Sequence, residues 1–108
     1  MKKVLIPLFS VAALVAFQNA SADEIPADVK ALLNGKACLA CHSVENKLVG
    51  PSYKEVAAKH DGEEGAVATV ADHIKNGSTG VYGPIPMPPN AVTEEEATLL
   101  AEWVLSQK

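Results

Sequence analysis

Two thiols and an imidazole stand close together in Cys38-Leu39-Ala40-Cys41-His42. Cys-x-x-Cys-His is the spacing with which a chain attaches a c-type haem covalently. Thiols three positions apart reach the two vinyl groups on one porphyrin edge and form thioethers. The histidine that follows then lies under the iron, where a ring nitrogen can serve as proximal ligand. Three other uses compete. A thioredoxin-like redox pair belongs at a strand–helix edge of a mixed sheet, and strand signals here are weak throughout. A structural zinc site wants four ligands; there is no second Cys-x-x-Cys, so His60 and His73 would have to be recruited. A plain disulfide is the third. The adjacent histidine, and the export signal described below, favour haem over all three.

A haem iron held by one histidine has a sixth position to fill. Apart from Met1, Met87 is the only methionine, and it stands among Pro86, Pro88 and Pro89. A thioether favours iron(II) and raises the potential, which suits electron transfer. A methionine between prolines cannot pack from a helix face as a core filler, and the prolines reduce the entropy that ligation costs. His60 and His73 are the other candidates. His60 ends a short helix beside Asp61-Gly62, and His73 shares a polar stretch with Asp72 and Lys75, so both read as surface or rim histidines. Gly50-Pro51 breaks the chain where it passes His42, and a carbonyl there can accept the second ring N–H and fix the ring. Lys36, Lys47 and Lys54 flank the motif, either as ordinary solvated lysines or as charges for docking.

These groups must be positioned by helices. Pro26 suits a helix start, and Ala27 to Leu33 runs as a helix until Asn34-Gly35 stops it. Ser52-Tyr53-Lys54-Glu55 has capping-box spacing and opens a short helix towards Lys59. Ala66 to Lys75 spaces Val67, Val70, Ala71 and Ile74 on one face, ending at Asn76-Gly77. Thr93-Glu94-Glu95-Glu96 is a second capping box, and the helix to about Ser106 carries Ala97, Leu100, Ala101 and Val104, widened by Leu99 and Trp103. The fold class is all-α. Residues 77–90 hold three glycines and four prolines among 14 residues, which excludes helix and sheet. Val81, Ile85 and Met87 argue for an ordered loop draped over something apolar.

The 108 residues are 48% hydrophobic and 20% charged, a globular composition with room for one domain. Nine lysines and no arginine stand against 13 acidic residues, for a net charge of −4. That balance argues against a nucleic-acid partner. Met1-Lys2-Lys3, an apolar run from Val4 to Phe17 and Ala20-Ser21-Ala22 together form a secretory signal cleaved after Ala22. The run is too short for a confident membrane anchor, which needs about 20 residues. Removing residues 1–22 leaves a domain of 86 residues, 23–108, with seven basic and 13 acidic residues and a charge of −6. A chain so short often recruits a cofactor to complete its core.

Five stretches carry a family resemblance: Cys38 to His42, Val49 to Lys59, Ile74 to Ser78, Gly83 to Asn90 and Trp103 to Lys108. Over essentially the whole exported chain the sequence resembles the cytochrome c-551 family, the small monohaem class I cytochromes of denitrifying pseudomonads and their relatives. Pro84-Ile-Pro-Met-Pro-Pro-Asn90 is far more specific than the haem motif alone. The resemblance implies a cytochrome c fold of about four helices around one haem c (heme c), attached through Cys38 and Cys41. It implies His42 and Met87 as iron ligands, with the Pro51 carbonyl holding the His42 ring and the Asn90 amide donating to the Met87 sulfur. It further implies a monomeric periplasmic carrier between a cytochrome bc complex and a haem nitrite reductase, with terminal oxidases or a peroxidase as other acceptors. Close relatives often carry tryptophan at the position of Tyr82 and sometimes arginine at that of His73, both near a haem propionate. That departure bears on the pH dependence of the potential, not on ligation.

The expected function is therefore diffusible one-electron transfer without catalysis. A haem enzyme or gas sensor would need an open sixth position and nearby acid–base groups, for which only His60 and His73 qualify at neutral pH. A cofactor-free binding domain is the third reading.

Overall fold

The computed structural model describes residues 24–108, so the expected signal segment lies outside the described residues. Four helices follow in order: α1 (Ala27–Gly35), α2 (Tyr53–Lys59), α3 (Ala66–Asn76) and α4 (Glu94–Leu105), with a 3-10 turn at Cys38–Ala40. No strand occurs among the described residues; two isolated bridges, His42 with Lys47 and Ser78 with Met87, are the only β pairing. None of the described helices is long and apolar enough to cross a membrane.

Local chemistry sets the helix limits. Pro26 caps α1 rather than opening it, and its carbonyl accepts from Lys30 N–H at 2.9 Å. The Ser52 hydroxyl accepts from Glu55 N–H, satisfying one free donor of the first turn of α2. At α4 the box is closed both ways: the Thr93 hydroxyl accepts from Glu96 N–H at 3.1 Å, and the Glu96 carboxylate accepts from Thr93 N–H at 2.9 Å. Those bonds hold the Glu96 carboxyl below its ordinary range, first through the Thr93 backbone N–H. Gly77 ends α3 with φ +85°, and a Cβ there would lie 2.6 Å from the Met87 carbonyl oxygen. Glycine is needed both for the backbone conformation and for the close approach of the proline-rich loop.

α4 packs along α3 and also reaches α2 and α1. Its expected stripe is buried: Ala97, Leu100, Ala101 and Val104 meet Val29 and Leu33 of α1, Tyr53 and Val56 of α2 and Val70 and Ile74 of α3 in one cluster. Trp103 is buried as well, and packs edge-on to Tyr53 at 5.1 Å between ring centroids. Val67 and Ala71 are only half-buried against that cluster. The helices converge on an apolar centre without filling it.

Candidate functional site

The 3-10 turn presents the motif as a unit. His42 N–H donates to the Cys38 carbonyl at 3.0 Å and Cys41 N–H to the same oxygen at 3.2 Å, so the two cysteines and the histidine fold back on one another. Ala37, which precedes the turn, adopts a left-handed conformation with φ 57°. Both cysteines are free thiols, which leaves the disulfide reading without support. Burial pushes the Cys38 thiol above its usual range. Among the described residues no three histidine, cysteine, aspartate or glutamate side chains gather as a metal cluster, so neither His60 nor His73 completes a zinc site with the cysteines. The absence of strands among the described residues likewise leaves the thioredoxin-like setting without support.

The His42 ring is fixed from two sides. Its Nδ1 lies 2.8 Å from the Pro51 carbonyl oxygen, which accepts the ring N–H and leaves Nε2 as the free donor of an electron pair. Gly50 lies against the ring: a Cβ at that position would be 2.5 Å from His42 Cε1 and 2.9 Å from Nδ1. Tyr53 stacks on the same imidazole at 5.4 Å and 25° between planes. Its hydroxyl is buried without a partner, and burial, then the charge of Cys38, pushes its pKa above the usual tyrosine range.

Met87 comes from the proline-rich loop. Ser78 N–H donates to the Met87 carbonyl at 3.1 Å and Met87 N–H to the Ser78 carbonyl at 2.9 Å, so the residue is pinned to the end of α3. The expected contact of Asn90 with the Met87 sulfur is replaced. The Asn90 amide donates to the Ile74 carbonyl at 2.8 Å, satisfying a carbonyl near the end of α3, and its backbone N–H donates to the Lys75 carbonyl at 3.3 Å. Asn90 therefore braces the loop against the helix. Ile85 departs from the expected drape as well, being 60% exposed.

Between these walls lies a cavity of about 1170 Å³ of space free of protein atoms, mouth included. Cys38, Cys41 and His42 line it together with Met87, and Val56, Val70, Ile74, Leu100 and Val104 supply apolar wall. The donor set fits haem c: two thiols for the vinyl groups, a nitrogen and a thioether for iron, and apolar surface for the porphyrin face. The glycine cradle under His42 has no purpose in a site where that ring is free to turn.

Of the two other histidines, His73 stands at the cavity rim as the sequence reading puts it, and His60 does not stand on the surface. His60 is buried, 5% exposed, rather than on the surface. Its Nδ1 is hydrogen-bonded to the Glu63 carboxylate and its Nε2 lies 2.6 Å from the Tyr82 hydroxyl. His73 is half-buried and lines the cavity, with Nδ1 3.5 Å from the same hydroxyl. Burial, then the charge of Glu63, pushes Tyr82 up to about 12. The Glu63 spacing three residues after His60 is the only sequence signal for this cluster.

Comparison with known proteins agrees with the geometry. The Cytochrome c family profile matches residues 26–108. The chain is 61% identical to a cytochrome c-551 of Stutzerimonas stutzeri over 108 residues, all of both chains. It is 60% identical to a cytochrome c-551 of Pseudomonas aeruginosa over 81 residues, 75% of this chain and 78% of that one. The crystal structure of wild-type cytochrome c552 from Nitrosomonas europaea superposes with a TM-score of 0.70 at 46% identity, covering 73% of this chain and 99% of the other. Since the profile runs from the cap of the first helix to the final residue and takes in every wall of the cavity, the chain belongs to the cytochrome c family.

Proposed function

We propose that the protein is a diffusible periplasmic one-electron carrier whose haem is attached through Cys38 and Cys41, with iron held between His42 and Met87. As a small cytochrome c it binds haem c, with its iron, covalently and carries electrons rather than catalysing a reaction. When bound, haem c supplies the one-electron chemistry of its iron. The chain's own residues do the rest. Pro51 and Gly50 hold His42 in one orientation, Ser78 and Gly77 hold the Met87 segment, and the apolar wall keeps water from the cavity. With both ligand positions supplied by protein, no substrate reaches the metal and little has to reorganise on electron transfer.

The observation that carries this reading is the fixed His42 ring on one side of a large apolar cavity whose lining includes a pinned Met87. Residues 1–22 act in it as the cleaved leader and 23–108 as the working domain. The donor is a cytochrome bc complex and the acceptor a haem nitrite reductase, with a terminal oxidase or a peroxidase as the alternative acceptors. Exposed Val49 and Ile85 at the cavity mouth, with Lys47 beside them, support brief docking of a monomer to such partners. The test is Met87→Ala, which keeps the covalent haem and lowers the reduction potential. An unchanged potential would remove Met87 as ligand. The reduced wild-type protein should also fail to bind carbon monoxide rapidly at neutral pH; rapid binding would point instead to a haem enzyme or sensor with a labile sixth ligand.

A further inference from the structure

Tyr53 carries a polar atom that the chain does not satisfy. The side chain is 4% exposed, and its hydroxyl is the one buried side-chain oxygen or nitrogen among the described residues without a hydrogen-bond partner. Folded chains rarely keep such a group, because it gives up its bonds to water and receives none in return. The hydroxyl has no freedom to swing out to solvent. Its ring stacks on the His42 imidazole at 5.4 Å and meets Trp103 edge-on at 5.1 Å between centroids. Tyr53 lines the cavity, as do Cys38 and His42.

Three kinds of acceptor compete for that hydroxyl. A buried water needs about three polar contacts, and no second unpaired side-chain polar atom is buried among the described residues to share one. The two carboxylates of a haem project from the porphyrin edge opposite its vinyl groups, whereas Cys38 holds the vinyl edge. The sulfur of Cys38 is the third. Cys38 packs against the buried cluster to which Tyr53 belongs, and its charge is felt at the hydroxyl: burial, then Cys38, pushes the Tyr53 pKa up, so the tyrosine keeps its proton and donates. Attachment turns that sulfur into an acceptor alone. The Cys38 S–H adds across a vinyl group: a sulfur–carbon bond forms, the hydrogen goes to the other vinyl carbon, the double bond becomes single, and no electron enters or leaves. The sulfur keeps its lone pairs and loses its hydrogen.

We propose that Tyr53 is a positioning residue whose hydroxyl donates to the sulfur through which Cys38 holds the haem, so that one aromatic ring fixes both the attachment edge and His42. The proposal rests on the reading of Cys38 as an attachment residue. Tyr53 is well placed to transmit that grip. It is the first residue of α2, its N–H donates to the Ser43 carbonyl at 2.9 Å, and Ser52 caps the helix beside it. Helix α2, the Cys38–Ala40 turn and the His42 ring are thereby tied to one another through a single side chain. The sign of one substitution reads the bond directly. Removing a hydroxyl that has an acceptor costs stability, whereas removing one that has none relieves an unpaired buried group.

The experiment compares haem-loaded wild type, Tyr53→Phe, Cys38→Ala and the double variant. Phenylalanine keeps the ring against His42 and Trp103, so that variant folds, and Cys38→Ala retains attachment through Cys41. Thermal midpoints are measured for all four, and the Tyr53 hydroxyl proton is sought by NMR in the reduced proteins. Tyr53→Phe is expected to lower the midpoint by roughly 4–8 °C when Cys38 is present, and that loss vanishes or reverses in the Cys38→Ala background. A slowly exchanging hydroxyl proton is expected in wild type, absent from Tyr53→Phe and exchanging freely with water in Cys38→Ala. A Tyr53→Phe protein as stable as wild type or more so, or a loss of the same size in both backgrounds, overturns the proposal. A tyrosine that only packs gives the second of these, with a hydroxyl proton indifferent to Cys38. The alkaline pyridine spectrum of the same samples counts the vinyl groups that have reacted. Two reacted vinyls with a harmless Tyr53→Phe sink this proposal alone. An unreacted vinyl in wild type overturns the attachment at Cys38, and the proposal with it.

Discussion

Single atoms decide the geometry around His42. The glycine at position 50 is there because the imidazole occupies the space a methyl group would take. We expect Gly50→Ala to cost about 1–3 kcal/mol in a denaturant titration, the usual range for overpacking, and to alter the haem spectrum as well. A variant with unchanged stability and spectrum would show that the ring has room to move. Ala37 presents the opposite case, a left-handed residue with a side chain. Ala37→Gly is expected to stabilise the protein by about 1 kcal/mol, read as a higher thermal midpoint. At this scale the sequence was legible where chemistry dictates spacing, as in Cys38-x-x-Cys41-His42 and the Met87 segment. It was misleading for His60, whose partners lie three and 22 positions away, and for Asn90, whose amide meets a helix end instead of a sulfur. No local pattern records which of several nearby carbonyls an amide will find.

Helices are the level at which reading and structure agree best, because their limits are written in adjacent residues. Thr93 and Glu96 cap α4 as their spacing requires, and the apolar stripe from Ala97 to Val104 follows from period 3.6. Thr93→Ala should lower stability by about 1 kcal/mol, a thermal shift of roughly 4–8 °C for a domain this size. The Glu96 carboxyl titrates below its unfolded value, so its contribution is present above the ordinary glutamate range and disappears as pH falls through the lowered value. Wild type should therefore be the more stable of the pair with Glu96→Gln at neutral pH, and the two thermal midpoints should converge in acid. A gap that persists in acid would assign the effect to packing. What the helix pattern leaves out is the course of residues 77–90, fixed by the Ser78–Met87 bridge and by contact with Gly77 rather than by any periodicity.

Over the described residues, the molecule is four helices arranged about a space that their own side chains do not fill. Shortage of core was visible in the length and in the few aromatic residues, and the family explains it: haem c completes the interior. Cys38→Ala combined with Cys41→Ala should leave the chain largely unfolded by circular dichroism, since a cofactor that binds only the folded state stabilises it by mass action. A cooperatively folded double variant would show that the helices organise themselves. The claim on which the rest depends is the ligand pair, and one optical spectrum of the purified protein, oxidised and then reduced, tests it most directly. The account predicts a c-type spectrum with the weak near-infrared band of an iron(III)–thioether bond. Haem present with that band missing would contradict it, by placing something other than Met87 opposite His42.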